Sequence, residues 1–234
     1  MAATDARRVA IHQPNYWPWL GYFHKMASCD VFVLLDDVQL SRGKSFTTRV
    51  KIKTQGEPAW LSLPVQGKSE CLTIAEASLA PETRWRKKHW RTIEASYRKA
   101  PHFDEIAPRV QALYEGEGES LFDVNRCSIE IARSLLGIPT ELVRSSELHV
   151  AAGGAEKLVE IVAALGGTTY VTGEGAGSAR YVDESAYAAR GIQVRAQGFR
   201  HPVYSQLWGD FVPYLSILDL LFNCGPASLA VLMG

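Results

Sequence analysis

Three polar stretches carry residue types suited to acid–base chemistry and anion binding: His12-Gln13-Pro14-Asn15, Asp36-Asp37, and the run Gly173-Glu174-Gly175-Ala176-Gly177-Ser178. An imidazole titrates near neutral pH, so His12 can take a proton from an incoming nucleophile. A carboxylate beside it, Asp36 or Asp37, can orient the ring or hold a substrate ammonium. Gly173, Gly175, Gly177 and Ser178 can let backbone N–H groups approach a phosphate, although the run is neither G-x-G-x-x-G nor a Walker A sequence, and a flexible lid or a plain turn are the competing readings.

Further along, Arg49, Lys51 and Lys53 recur with period two, the spacing that puts side chains on one face of a strand, where they either guard a solvated edge or hold a phosphate or carboxylate. His201, Tyr204 and Gln206 crowd one short segment, and His201 is a second candidate base. Ser216, Asp219 and Asn223 follow at i, i+3 and i+7, one face of a helix, so they either hydrogen-bond within a core or line a pocket. A basic helix with Arg84, Arg86, Lys87, Lys88, His89 and Arg91 also carries Trp85 and Trp90. It is a solvated face or a surface for a phosphorylated carrier or nucleic acid. There is no H-x-x-x-H pair, C-x-x-C pair, calcium-loop spacing or G-x-S-x-G elbow, so no metal site and no hydrolase elbow is expected.

The elements that must position these groups follow from the hydrophobic pattern. Residues 8–11 predict a strand, 19–29 a helix and 31–35 a doubly buried strand, which together make a β-loop-α-β unit. Strand-like runs at 46–52, 59–65 and 72–74, separated by turn-rich residues, predict an antiparallel excursion within 44–80. Helices are expected at 82–97, 103–114 and 120–136, a helical insertion over 81–137 that stops at Gly137-Ile138-Pro139. Strands at 141–144, 168–172 and 192–197 then alternate with helices at 155–165 and 179–189, and a last helix begins near Ser216. The expected class is α/β: one domain over 1–234, a mostly parallel Rossmann-like sheet with flanking helices, a small antiparallel excursion and a helical insertion. The three polar stretches each follow a strand, so a parallel sheet brings them to one rim.

With 234 residues, 47% hydrophobic and 21% charged, the composition is that of a globular protein with a sizeable core. Twenty-five Lys and Arg balance twenty-five Asp and Glu, so no global field favours nucleic acid. The longest late apolar run, 212–222, is broken by Pro213, Ser216 and Asp219, so membrane insertion is not expected. The first residues carry no apolar signal region, and the cytoplasm is the expected location. The four cysteines are far apart and are expected to be reduced structural thiols.

The chain resembles the WbqC-like family. The likeness rests on IHQPNYWPWLGYFHKMASCDVFVLLDDVQ, RVKIKTQGEPAWLSLPV, WRKKHWRTIEASYRKAPHF, YVTGEGAGSARYVDE and HPVYSQLWGDFVPYLSILDLLFNCG. That resemblance implies a biosynthetic enzyme of O-antigen, other surface-glycan or specialised-metabolite pathways, one that attaches an acyl or aminoacyl group to an amine. The matching positions are His12, Gln13, Asn15, Arg49, Lys51, Glu174, Tyr181, His201, Tyr204, Gln206, Asp219 and Asn223. The opening also resembles the H-x-G-H nucleotidylyltransferases, with a departure: Tyr22 follows Gly21, and the next histidine is His24.

The leading expectation is therefore a transferase acting on a small-molecule amine and an activated acyl donor, free or on an acyl carrier protein, with no obligatory cofactor. His12 or His201 is the base, Asp36 or Asp37 orients it or the ammonium, Arg49 and Lys51 hold the donor, and Asn223 or the glycine-rich backbone stabilises negative charge. The second is nucleotidylyl transfer or adenylate formation with ATP and Mg²⁺. The third is a non-catalytic module that binds a nucleotide-sugar or a carrier protein.

Overall fold

Alternating apolar residues set the first strands: Val9 and Ile11, then Val31 and Val33, all bury against one cluster. The computed structural model describes residues 6–41, 43–66, 72–81, 84–175 and 182–234. In chain order the elements are β1 (Arg8–His12), α1 (Leu20–Ala27), β2 (Val31–Leu34), β3 (Arg49–Ile52), β4 (Ala59–Ser62), α2 (Arg84–Tyr97) and α3 (Phe103–Glu115). There follow α4 (Leu121–Leu136), β5 (Glu141–Arg144), a 3₁₀ turn (Ser145–Leu148), α5 (Gly154–Ala164) and β6 (Thr169–Thr172). The chain continues with α6 (Glu184–Ala188), β7 (Gln193–Ala196), α7 (Ile217–Cys224) and α8 (Ser228–Met233). The described residues divide into two compact units, the first drawn from 1–13, 24–37 and 139–200, the second from 14–23, 38–138 and 201–234.

The first unit is built on a five-stranded sheet in the order β5-β2-β1-β6-β7, with every pairing parallel. Val9 lies opposite Val31 and Tyr170, and His12 lies opposite Leu34. Leu158, Val159, Ile161 and Val162 of α5 cover one face, and Tyr187 of α6 stacks on Tyr170 with ring centroids 4.8 Å apart. Each such fully buried aliphatic side chain contributes about 1.5–3 kcal/mol. The turn from α5 into β6 needs Gly167, because a Cβ there would lie 2.7 Å from both Val162 Cγ1 and Val9 Cγ2.

In the second unit β3 and β4 form an antiparallel pair, Arg49 opposite Ser62 and Lys51 opposite Trp60. Helix α4 begins at Ser120, whose Oγ accepts from Asp123 N at 3.1 Å, and ends at Gly137 in the left-handed region (φ 69°). Asn125 of α4 is fully buried and donates to the carbonyls of Pro14 (2.9 Å) and Thr47 (2.8 Å). Ser128 Oγ accepts from Trp17 N at 3.1 Å, while Ser216 Oγ donates to Trp17 O at 3.0 Å. These bonds hold Trp17 at a φ of 40°, a conformation that a bulky residue adopts only when its surroundings enforce it.

The α/β class is as the sequence predicts, and the differences are local. The hairpin strands are shorter than 46–52 and 59–65, because the Phe46 carbonyl accepts instead from Tyr16 N at 3.1 Å. Residues 72–74 make an isolated bridge, Thr73 to Gln39, and no strand. Of the helix expected at 179–189, the described part is α6, capped by Asp183, whose carboxylate accepts from Ser185 N at 3.1 Å. Gly177, Ser178, Tyr181 and Cys71 lie outside the described residues.

Candidate active site

Counted in order within the first unit, its strands run 3-2-1-4-5, the doubly wound arrangement, and the connections leaving β1 and β6 therefore diverge. A crevice for ligands forms at the carboxyl ends of strands at such a point. His12 is the last residue of β1, and Gly173 and Glu174 follow β6 directly. Asp36 and Asp37 follow β2 by one residue, on the other side of β1. The topology thus sends His12, Asp36-Asp37 and Gly173-Glu174-Gly175 out of one edge of one sheet.

His12 is half-buried, and its Nδ1 lies 3.0 Å from the carbonyl oxygen of Gln13. That contact places the imidazole proton on Nδ1 and the lone pair on Nε2. Burial, reinforced by the Lys25 charge, lowers the His12 pKa to about 4, so the ring is neutral at pH 7. Lys25 is itself buried on α1, donates to Ile11 O at 2.8 Å, and is lowered by desolvation to about 8. One residue earlier, His24 packs on Phe199 with ring centroids 5.2 Å apart, and its buried Nδ1 has no hydrogen-bond partner among the described residues. Burial lowers the His24 pKa, and the Glu174 carboxylate partly offsets this. Glu174 and Gly175 are exposed, and a Cβ at Gly175 would meet nothing within 4 Å.

Asp36 has no exposed surface and is committed to its own neighbourhood. It accepts from Arg144 Nε, from Ser145 Oγ at 3.0 Å, and from Ser146 N at 3.0 Å and Oγ at 2.9 Å. Burial alone would raise its pKa, but these bonds outweigh burial and hold it below the usual carboxylate range. Asp37 accepts from Ser145 Oγ at 2.6 Å and pairs with Lys157 Nζ at 2.6 Å. Both carboxylates thereby tie β2 to the turn after β5 and to α5.

The remaining predicted positions belong to the second unit. Arg49 and Lys51 are half-buried on one face of the hairpin, the Arg49 guanidinium 4.0 Å and the Lys51 ammonium 5.7 Å from the Trp60 ring centroid. Lys53, expected on that face, lies past the end of β3 and is buried, with Nζ donating to Gln206 Oε1 at 3.1 Å and to Asp210 O. Asp219 is fully buried; Tyr204 donates to its Oδ2 at 2.9 Å, and Oδ1 has no hydrogen-bond partner among the described residues. Burial pushes its pKa up to about 6, against the opposing pull of Tyr204, Tyr97, Lys53 and Gln206. Asn223 Nδ2 donates to Asp219 O at 2.7 Å. His201 Nδ1 lies 2.8 Å from Pro202 O, and its Nε2 accepts from Tyr214 N at 3.0 Å, so both ring nitrogens serve the local chain path. Asn15 is buried, with its Oδ1 3.5 Å from Thr47 Oγ1.

Lys25 and His24 are the polar groups near His12 and Glu174 that sequence reasoning missed. A lone Lys beside Met26 in the helix LGYFHKMA is the signal that marks Lys25. The described thiols, Cys29, Cys127 and Cys224, are all raised in pKa by burial, Cys29 to about 12, which disfavours thiolate chemistry. Among the described residues no three His, Cys, Asp or Glu side chains are grouped as for a metal, and no helix is long and apolar enough to cross a membrane.

Strand order defines a doubly wound α/β protein with His12 at the carboxyl end of the strand beside its switch point. The chain belongs to the WbqC-like protein family, whose model matches residues 13–231. It is 39% identical over 223 residues to the uncharacterized protein Rv1507c of Mycobacterium tuberculosis, covering 94% of each chain. No solved structure matches it significantly.

Proposed function

We propose that this protein is a biosynthetic transferase that attaches an acyl or aminoacyl group to a small amine, such as an amino sugar or a specialised-metabolite precursor. The observation that carries this reading is His12 at the carboxyl end of β1, at the sheet's switch point, with Nδ1 held by Gln13 O. The amine nitrogen attacks the acyl carbon of an activated donor. As the C–N bond forms, the bond to the leaving group breaks and takes its electron pair, and the amine proton passes to His12 Nε2. A pKa of about 4 keeps the ring unprotonated before reaction. An anionic donor bound beside it would raise that pKa and strengthen the base. Glu174 is the exposed carboxylate suited to a substrate ammonium, and the backbone at Gly173 and Gly175 can approach the donor.

Nucleotidylyl transfer from ATP is the second reading, favoured by the 3-2-1-4-5 strand order, which is shared with mononucleotide-binding sheets. One panel separates the two. Wild type and His12→Ala are incubated with acyl thioesters and amino-sugar nucleotides, or with ATP and Mg²⁺, and amide product and pyrophosphate are measured. The transferase reading expects amide product, lowered about 10²–10⁴-fold by His12→Ala. Magnesium-dependent pyrophosphate release without amide product would replace it by the second reading. Full turnover in a folded His12→Ala protein would remove His12 from the chemistry.

A further inference from the structure

Helix α2 carries a charge arrangement that the switch-point chemistry does not use. Arg84, Lys87, Lys88 and Arg91 occur at i, i+3, i+4 and i+7, so they lie on one face, and all four are exposed. Trp85, Arg86, His89 and Ile93 make the buried face of the same helix. Between the cationic face and the β3–β4 turn at Gly56 lies a groove of about 710 Å³. Its remaining helical wall is made by small residues, Ala95 among them. Thr92 and Ser96 turn their hydroxyls back onto the helix, donating to Lys88 O at 2.8 Å and Thr92 O at 2.7 Å. The groove is therefore recognised by charge more than by hydroxyl donors.

No carboxylate lines it among the described residues. The ion pairs of the described residues also leave out Lys87, Lys88 and Arg91. In a chain whose formal net charge is zero, four like charges on two helical turns are a local concentration. Like charges at i, i+4 destabilise a helix by a few tenths of a kcal/mol, and a bound anion relieves that repulsion.

We propose that this groove binds a small diphosphate-bearing molecule of the nucleoside diphosphate class. Seven residues of helix rise about 10.5 Å, long enough for a diphosphate and one flanking group. The volume falls within the usual range for small-molecule sites, and the guanidinium and ammonium groups supply charge-assisted donors to phosphate oxygens. The flanking group is placed along Ala95 and Gly56, where an added Cβ would meet nothing within 4 Å. This inference goes beyond the transferase reading and stands or falls without it.

Titration calorimetry on the full chain tests it, with inorganic pyrophosphate, UDP, uridine and sulfate as probes at 50 and 300 mM NaCl. The expected result is binding of UDP and pyrophosphate but not uridine or sulfate, weakened by salt. Lys87→Glu with Arg91→Glu should lower the affinity at least tenfold, the neutral pair Lys87→Gln with Arg91→Gln should lower it less, and His12→Ala should leave it unchanged. Circular dichroism confirms that each variant is folded, and a misfolded charge-reversed pair leaves the decision to the neutral pair. UDP binding unaffected by the folded variants would overturn the proposal, as would sulfate binding as tightly as pyrophosphate. Capture of an acidic carrier protein with no UDP binding would overturn it too, in favour of a protein partner.

Discussion

Lys25 Nζ donates to the carbonyl oxygen of Ile11 at 2.8 Å, which sets a buried ammonium one peptide unit from His12. The two groups titrate against each other: burial comes first in lowering the His12 pKa to about 4, and the Lys25 charge adds to it. Lys25→Met removes the charge and keeps the stem volume. The His12 pKa, followed by NMR of its ring protons, should rise toward the ordinary value without reaching it. An unchanged titration would show that burial alone sets the value.

The same shift fixes a direction for acid stability. His12 has a folded pKa of about 4 against about 6.5 unfolded, so between those values the unfolded chain binds the extra proton. Stability should therefore fall as pH drops from about 6.5 to 4, by an amount on the order of 3 kcal/mol from this group. Urea unfolding of wild type and His12→Asn across that window checks it, and the variant should show the shallower slope.

Asp36 is expected to matter for folding before it matters for turnover. Its carboxylate gathers Arg144, Ser145 and Ser146, and removing it takes an acceptor from Arg144 Nε and from the Ser146 N–H, while the Ser145 hydroxyl keeps Asp37. Asp36→Ala should cost about 3–5 kcal/mol, the scale for breaking a buried ion pair. Arg144 is partly exposed and can regain water, so the lower end is expected. Equal midpoints for wild type and variant in denaturant would contradict this.

Much of the sheet is legible in the sequence because apolar runs such as VFVLL have few alternatives to a buried strand. The hairpin's limits are not, because what ends the strand pattern near Phe46 is a bond from Tyr16, thirty residues earlier in the chain. Polar residues are harder still to read, since the sequence gives their type and spacing but not their partners. Ser216, Asp219 and Asn223 share helical spacing, yet Ser216 caps α7, Asp219 is an ionisable core group and Asn223 bonds the helix backbone. Tyr16 and Trp17 are fully buried, and their packing has a polar purpose. The Tyr16 hydroxyl lies 3.0 Å from His89 Nδ1 and 2.6 Å from the Tyr114 hydroxyl, which also accepts from Trp17 Nε1 at 2.9 Å.

Gly21 has a structural reason that the H-x-G-H likeness does not contain. The Trp19 indole lies across it, and a Cβ there would sit 2.6 Å from Trp19 Cζ3. Gly21→Ala should destabilise by about 1–3 kcal/mol through overpacking, despite alanine's better helix propensity. Trp19→Ala in the same chain should recover part of that loss, and a double-mutant cycle on thermal midpoints measures the coupling. Additive effects would mean that the indole simply moves aside.

Asp219 offers the opposite pH signature to His12. Its folded pKa of about 6 lies above the unfolded value of about 3.8, so between them the native state holds the extra proton. Stability from this group is full below the unfolded value and falls as pH rises through 6, a penalty on the order of 3 kcal/mol at pH 7. Asp219→Asn keeps an acceptor for Tyr204 and carries no charge to desolvate. It should unfold at higher denaturant than wild type at pH 7, and the difference should vanish near pH 4. Lys53 complicates the balance, since its ammonium favours the ionised carboxylate and is itself buried against Gln206 and Asp210. If Asp219→Asn is less stable at pH 7 than at pH 4 relative to wild type, the carboxylate is held ionised by Lys53, and the two act as a buried ion pair.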